Sequence, residues 1–142
     1  MKRVAALGLD VGRKRMGVAG CDGTGLIATG LTTIYRTSFV EDLRQLQEII
    51  KERDVEILVI GLPYTLDGNI GSQAKKIHKF GDRLARILDL PIEYVDERLT
   101  SVEAETRLKA NNKFSTRDKG AIDRQAAEII LQQWLDMRRN NC

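Results

Sequence analysis

The stretch that decides the fold is VAALGLDVGRKRMGVAGCDG, residues 4–23. It opens with a continuous apolar run at residues 4–9, which is typical of a strand covered on both faces of a sheet. The run ends at Asp10, a group that is costly to bury, and Gly12 follows as a turn residue. Apolar residues resume over positions 15–21. The stretch therefore predicts two strands joined by a turn, with an acid at the end of the first strand.

The period of the apolar residues changes along the rest of the chain. A third apolar run at residues 26–35 completes a three-stranded meander. Ser38 and Glu41 have the spacing of a helix capping box and predict a helix over residues 39–53. Further elements are predicted in this order: a strand at 55–60, a helix at 72–88, a strand at 92–96, a helix at 100–110, a basic loop at 111–119 and a helix at 120–138.

This order of elements predicts an α/β fold. The meander is extended by two strands that follow helices, and such connections imply right-handed parallel crossovers. We therefore expect a mixed five-stranded sheet flanked by helices. A chain of 142 residues suffices for one core, so residues 1–142 are expected to form a single domain.

Composition narrows the class of protein. The net charge of +3 permits a polyanionic partner without requiring one. Cys21 and Cys142 have neither the spacing of metal ligands nor the pattern of a disulfide framework. The sequence shows neither the apolar region of a signal peptide nor an apolar run of membrane length. We expect a cytoplasmic protein that does not contact membranes.

Carboxylates occupy unusual positions in three of the predicted elements. Asp10 ends a strand, where open α/β sheets bind their ligands, although turn chemistry explains it about equally well. Asp96 and Glu97 end another strand, and because strand neighbours point to opposite faces, at most one of them faces a shared site. Asp123 lies on the apolar face of the last helix, where an acid favoured by the helix dipole in the first turn is the plainer explanation.

Together these positions predict a metal site. Clustered carboxylates repel one another unless a cation joins them. Hard oxygen ligands of this kind suit Mg²⁺ or Mn²⁺, and such sites catalyse the hydrolysis of phosphodiesters.

A run of basic residues follows Asp10 in the sequence. Arg13, Lys14 and Arg15 follow Asp10 directly and are expected to contact phosphates beside the scissile bond, with an ordinary solvated turn as the alternative. The second helix carries further cations, for which a solvated helix face is the commoner explanation: Lys75, Lys76, Lys79, Arg83 and Arg86. His78, among them, is expected at the surface without a partner of catalytic or metal-binding type.

Four motifs, in order, resemble the YqgF family, also called RuvX. They are LGLDVGRKRMGVA at residues 7–19, VIGLPYTLDGNIGSQA at 59–74, YVDERLTSVEAE at 94–105 and IDRQAAEIILQQWL at 122–135. The resemblance implies a ribonuclease H-like fold and a metal-dependent endonuclease that trims the 5′ side of precursor 16S rRNA. The family was described earlier as Holliday junction resolvases, so branched DNA is the alternative substrate, and symmetric cutting of a junction would require a homodimer.

The resemblance also assigns the site residues. It places the catalytic, metal-binding acids at Asp10, Glu97 and Asp123, and it keeps Asp96 as a secondary candidate. Arg98, next to Glu97, is expected to join Arg13, Lys14 and Arg15 in contacting the nucleic acid.

Two other classes of protein remain open at this point. Sugar kinases and actin-like phosphotransferases also carry a D-x-G turn in their first hairpin, but they generally use two related domains and this chain has one such hairpin. A nucleic-acid-binding protein of the same fold without catalytic activity is the third alternative.

Overall fold

Five strands and three helices make up the part of the chain that the computed structural model describes, residues 4–63, 71–96 and 119–140. The strands are β1 (Ala6–Val11), β2 (Arg15–Cys21), β3 (Ala28–Tyr35), β4 (Ile57–Leu62) and β5 (Ile92–Asp96). The helices are α1 (Phe39–Arg53), α2 (Ser72–Leu88) and α3 (Lys119–Asn140). The predicted helix at residues 100–110 and residues 111–118 of the predicted loop lie outside the described residues.

The strands form one mixed sheet in the order β3-β2-β1-β4-β5. β1 pairs antiparallel with β2, and β2 pairs antiparallel with β3, so these three strands are the predicted meander. β4 pairs parallel with β1, and β5 pairs parallel with β4. The predicted five-stranded mixed sheet is confirmed.

Each face of the sheet carries its own apolar core. Leu7, Leu9 and Val11 of β1 face the core that α1 and α2 cover. Ala6, which has the opposite parity on β1, belongs to the core that α3 covers. Because side chains alternate along a strand, Asp10 faces the α3 side together with Ala6.

The helices begin and end close to the predicted residues. Ser38 Oγ accepts a hydrogen bond from the Glu41 backbone N–H at 3.2 Å, which confirms the predicted cap of α1. Within the described ranges, no helix combines the length and the apolar character needed to cross a lipid bilayer.

The strand bounds differ more from the prediction. β1 begins and ends two residues later than the apolar run at residues 4–9. Its pairing with β2 continues through Asp10↔Gly17 to Val11↔Met16, so Asp10 is a residue of the strand and not of the turn. β4 is likewise shifted from residues 55–60 to Ile57–Leu62.

Candidate active site

Asp10 is a partly buried acid near the carboxyl end of the central strand. The turn that follows is closed by the Gly12 N–H, which donates to the carbonyl of Arg15 at 2.9 Å. The turn therefore explains why a glycine stands at position 12. It does not explain why an acid stands at position 10, because the backbone of Asp10 pairs with Gly17 on β2. The position suits an acid that serves a ligand at the end of the sheet.

Close packing of α3 against β2 brings Asp123 to the end of β1 at which Asp10 lies. A Cβ atom added to Gly17 would lie 1.9 Å from the backbone oxygen of Asp123, so only glycine lets the helix lie this close to the strand. On the other side of β2, Thr33 pairs with Gly17 and donates from Oγ1 to the carbonyl of Gly120 at 2.7 Å. The start of α3 is therefore held over the row of residues that contains Asp10.

Asp123 forms an ion pair with Arg15. The Nε of Arg15 donates to Oδ2 of Asp123 at 2.6 Å, and the two side chains are 28% and 18% exposed. Asp123 is the fifth residue of α3, and the first turn of that helix holds no acid. The helix-dipole explanation for Asp123 is therefore wrong, and a contact with the sheet replaces it.

The basic turn differs from the prediction in one respect. Arg15 is the first residue of β2, so it does not belong to the turn, and its guanidinium contacts Asp123. Arg13 and Lys14 do lie in the turn and are exposed. Two of the three predicted phosphate contacts therefore lie at the surface, while Arg15 is tied to a candidate catalytic acid.

The last residues of β5 fix the face on which Asp96 lies. Val95 is buried in the α3 core, whereas Asp96 pairs with Leu62, which belongs to the core under α1 and α2. By strand alternation Asp96 falls on the face opposite to Asp10. Glu97 and Arg98 lie outside the described residues.

The donor atoms suit a hard divalent cation. Asp10 and Asp123 supply carboxylate oxygens on one face, and oxygen is the ligand that Mg²⁺ and Mn²⁺ prefer. Within residues 4–63, 71–96 and 119–140, no three histidine, cysteine or carboxylate side chains are grouped closely enough to hold a metal ion. Glu97, the third acid of the predicted site, lies outside these ranges.

A second cluster of polar side chains ties β5 to α2. The ring of His78 stacks on Tyr94 with centroids 4.3 Å apart, and its Nδ1 lies 3.3 Å from Oδ2 of Asp82. The Tyr94 hydroxyl donates to Oδ1 of Asp82 at 3.1 Å. Burial and the charge of Asp82 raise the pKa of Tyr94 to about 12. The expectation that His78 lacks a partner of this type is wrong, because the spacing of His78 and Asp82 places them one helical turn apart.

A cavity of about 670 Å³ lies at the opposite end of β1, away from Asp10. Its lining includes Asp22, Glu52, Asp54 and Glu56, whose charges would repel a polyanion. This cavity is therefore not the candidate active site.

Comparison with known proteins identifies the family of this chain. The family model of RuvX, described as Holliday junction resolvase, matches residues 4–137. A protein of Rippkaea orientalis named "Putative pre-16S rRNA nuclease" is 68% identical and spans 98% of this chain and 100% of its own length. A Synechocystis protein of the same name is 66% identical over 99% of this chain and 92% of its own length.

Solved structures of resolvases share the fold. Thermus thermophilus RuvC, solved with a Holliday junction substrate, aligns with a TM-score of 0.60 at 13% identity and covers 96% of each chain. The yeast mitochondrial resolvase Ydc2 aligns with a TM-score of 0.55 at 12% identity and covers 99% of this chain and 83% of its own. The ribonuclease H-like fold is thus confirmed, and the match over residues 4–137 shows that the chain belongs to the RuvX (YqgF) family of nucleases.

Proposed function

We propose that this chain is a metal-dependent endonuclease that processes the 5′ end of precursor 16S rRNA in the cytoplasm. The observation that carries the proposal is the placement of Asp10 and Asp123 on one face of the sheet, at the carboxyl end of β1. The names of relatives 66% and 68% identical over nearly the whole chain support the choice of substrate.

Asp10, Glu97 and Asp123 are the proposed metal ligands. Glu93 of β5 accepts a hydrogen bond from the indole N–H of Trp134 on α3, and Val95 lies in the α3 core. Residues of this parity on β5 face the side that holds Asp10, and this alternation supports Glu97 over Asp96 as the third acid. When bound there, Mg²⁺ or Mn²⁺ would activate a water molecule and stabilise the leaving oxygen of the phosphodiester.

The remaining residues of the site have positioning and binding roles. Arg15 holds the carboxylate of Asp123 through Nε, and this fixes one proposed ligand before the metal arrives. Arg13 and Lys14, exposed in the turn after β1, are proposed to contact phosphates next to the scissile bond. Arg98, beside Glu97, is proposed to do the same.

A direct comparison of two substrates tests the proposal. Purified protein is incubated in Mg²⁺ with a precursor RNA that spans the mature 5′ end, and separately with a four-way DNA junction. We expect cleavage on the 5′ side of the RNA, abolished by EDTA and in the Asp10→Asn variant. Cleavage of the junction alone would replace RNA by branched DNA, and equal cleavage by Asp10→Asn would assign the activity to a contaminant.

The oligomeric state of the active protein separates the same two substrates. Trimming one RNA end requires a single active site, whereas symmetric cutting of a junction requires two. We therefore expect RNA cleavage at protein concentrations where light scattering shows monomers. Activity that appears only with the dimer would favour the junction.

A further inference from the structure

A small cavity lies against the β1–β2 turn on the face of the sheet opposite to Asp123. Its volume is about 180 Å³, and its lining includes Gly12, Arg13, Arg36, Gln73, Lys76 and Phe80. We call this the turn cavity. It is smaller than the pockets of about 300 to 1,000 Å³ that hold drug-sized molecules, so its size suits a compact group such as a phosphate.

Arg36 is fixed at the cavity by three contacts. Its Nη1 donates to the carbonyl of Gly12 at 2.6 Å, and its Nε lies 3.4 Å from Oδ2 of Asp42. Its guanidinium lies 4.8 Å from the centre of the Phe80 ring. Asp42 is 2% exposed and is the only buried charged residue in the described part of the chain. The buried acid therefore holds Arg36, and Arg36 holds the turn that follows Asp10.

The remaining charge of the cavity is positive. Asp42 neutralises Arg36, while Arg13 and Lys76 are exposed and, among the described residues, pair with no carboxylate. Two cations thus face a cavity whose described lining residues include no acid. Cations placed this way attract phosphate groups whatever the base sequence.

The positive surface continues from the cavity along α2. Lys76, Phe80 and Arg83 are spaced at i, i+4 and i+7 and therefore share one side of the helix. The guanidinium of Arg83 lies 3.6 Å from the centre of the Phe39 ring, which holds it in place. A polynucleotide that leaves the end of β1 on this side would meet Arg13, Lys76 and Arg83 in succession.

We propose that the turn cavity binds a backbone phosphate of the substrate RNA beyond those at the scissile bond, with Arg13, which lies on the turn and lines the cavity, contacting the RNA between the two positions. The inference rests on the proposed function, because it takes RNA as the polyanion. Asp10 faces α3 and the next residue, Val11, faces the turn cavity, so the two sites lie on opposite faces at the same strand end. RNA bound at both would pass over the β1–β2 turn.

A charge reversal with a matched neighbour tests this inference. Lys76→Glu and Lys75→Glu change the same charge at adjacent exposed residues of α2, but only Lys76 lines the cavity. Both are made in the Asp10→Asn background, and binding of a single-stranded precursor RNA is measured in EDTA. We expect Lys76→Glu to weaken binding about ten-fold and Lys75→Glu to weaken it less than about three-fold.

The salt dependence of RNA affinity gives a second measurement. It reports the number of phosphate contacts that are lost and not the size of a general charge effect. Lys76→Ala is expected to reduce the slope of log affinity against log salt by about 0.7, the loss of one phosphate contact on a single strand. Lys75→Ala is expected to leave the slope unchanged. Equal effects of the two charge reversals, with equal slopes for the two alanine variants, would overturn the inference.

The outcomes separate this inference from the proposed function. Wild-type cleavage of precursor RNA together with equal effects at Lys75 and Lys76 would reject the turn cavity and keep the nuclease. Selective loss of binding in Lys76→Glu without any wild-type cleavage would keep the cavity as a nucleic-acid contact and reject the proposed activity.

Discussion

Arg15 at the start of β2 and Asp123 on α3 form an ion pair across 108 residues of sequence, with Nε 2.6 Å from Oδ2. The guanidinium orients a proposed metal ligand and places a positive charge against it. These two effects act on different quantities, because the orientation of Asp123 favours the cleavage step and the positive charge of Arg15 opposes binding of a metal ion.

Removal of the guanidinium is expected to change the metal requirement. Arg15→Gln should lower the Mg²⁺ concentration for half-maximal cleavage about five-fold, because a repulsion of about 1 kcal/mol is removed. The maximal rate should fall, because Asp123 loses its orientation. Rates across a Mg²⁺ titration measure both quantities, and Arg13→Gln, on the neighbouring turn, is the matched control. A midpoint that rises or equals that of Arg13→Gln would contradict the prediction.

Neutralising the proposed ligands should separate cleavage from binding. Asp10→Asn, Asp123→Asn and Glu97→Gln are each expected to reduce the cleavage rate at least about 100-fold. RNA affinity in EDTA should be unchanged or higher, because each variant removes a negative charge. Asp96→Asn is the matched comparison and should keep most of the activity, since its parity places it on the other face. Nearly full activity in Asp123→Asn or Glu97→Gln, while Asp10→Asn is inactive, would remove that residue from the site.

The contact at Gly17 makes a strong prediction about stability. Gly17→Ala places a Cβ atom 1.9 Å from the Asp123 backbone oxygen, so strand or helix must move. The free energy of unfolding should fall by at least about 2 kcal/mol, and cleavage should fall further because Asp123 is displaced. In Gly23→Ala nothing lies within 4 Å of the new Cβ, so the free energy of unfolding should change by less than about 1 kcal/mol. Urea unfolding of the two variants is the measurement, and similar midpoints would disprove the close approach.

Asp42 allows a test of the buried ion pair. Asp42→Asn should lower the free energy of unfolding by about 2 to 4 kcal/mol, less than for a wholly buried pair because Arg36 is 25% exposed. Glu41, the residue before Asp42, forms an exposed ion pair with Arg44. Glu41→Gln breaks that pair and should lower the free energy of unfolding by less than about 1 kcal/mol. Thermal unfolding monitored by circular dichroism compares the two, and equal losses would show that Asp42 does not hold Arg36.

The raised pKa of Tyr94 predicts that the protein loses stability at high pH. Its pKa of about 12 exceeds the value of about 10 of an unperturbed tyrosine, so the fold favours the protonated hydroxyl. This contribution is complete below about pH 10 and is lost as the pH rises through 12. The free energy of unfolding of the wild type should therefore fall relative to Tyr94→Phe between pH 10 and 12. Chemical denaturation checks this, with the exposed Tyr35→Phe as comparison, and parallel curves for wild type and Tyr94→Phe would contradict it.

Elements with strong local signals could be predicted from the sequence. The bounds of α1 and α2 coincide with the predicted residues 39–53 and 72–88, because capping at Ser38 and helical periodicity act within a few residues. The end of β1 could not be predicted this way. Its length is set by pairing with its neighbours, and the pairing of Asp10 with Gly17 on β2 holds Asp10 in the strand although the apolar run has ended.

The sequence could nominate candidate residues for the site but not their contacts. Three acids at unusual positions and four motifs in order identified Asp10 and Asp123 as candidates. The pairing of Arg15 with Asp123 depends on tertiary packing, which neither periodicity nor charge pattern reports. One signal was available, since a glycine inside an apolar strand often marks a close backbone approach, and Gly17 is such a residue.

The span between Arg15 and Asp123 also matters while the protein is being made. At about 5 to 20 residues per second, a ribosome needs on the order of 5 to 20 s to add the 108 residues that separate the pair. Over that interval the apolar face that α3 covers remains open and Asp10 has no Asp123 beside it. If Asp123 is a metal ligand as proposed, cleavage therefore requires α3, and a translation product that ends before this helix lacks one of the proposed ligands.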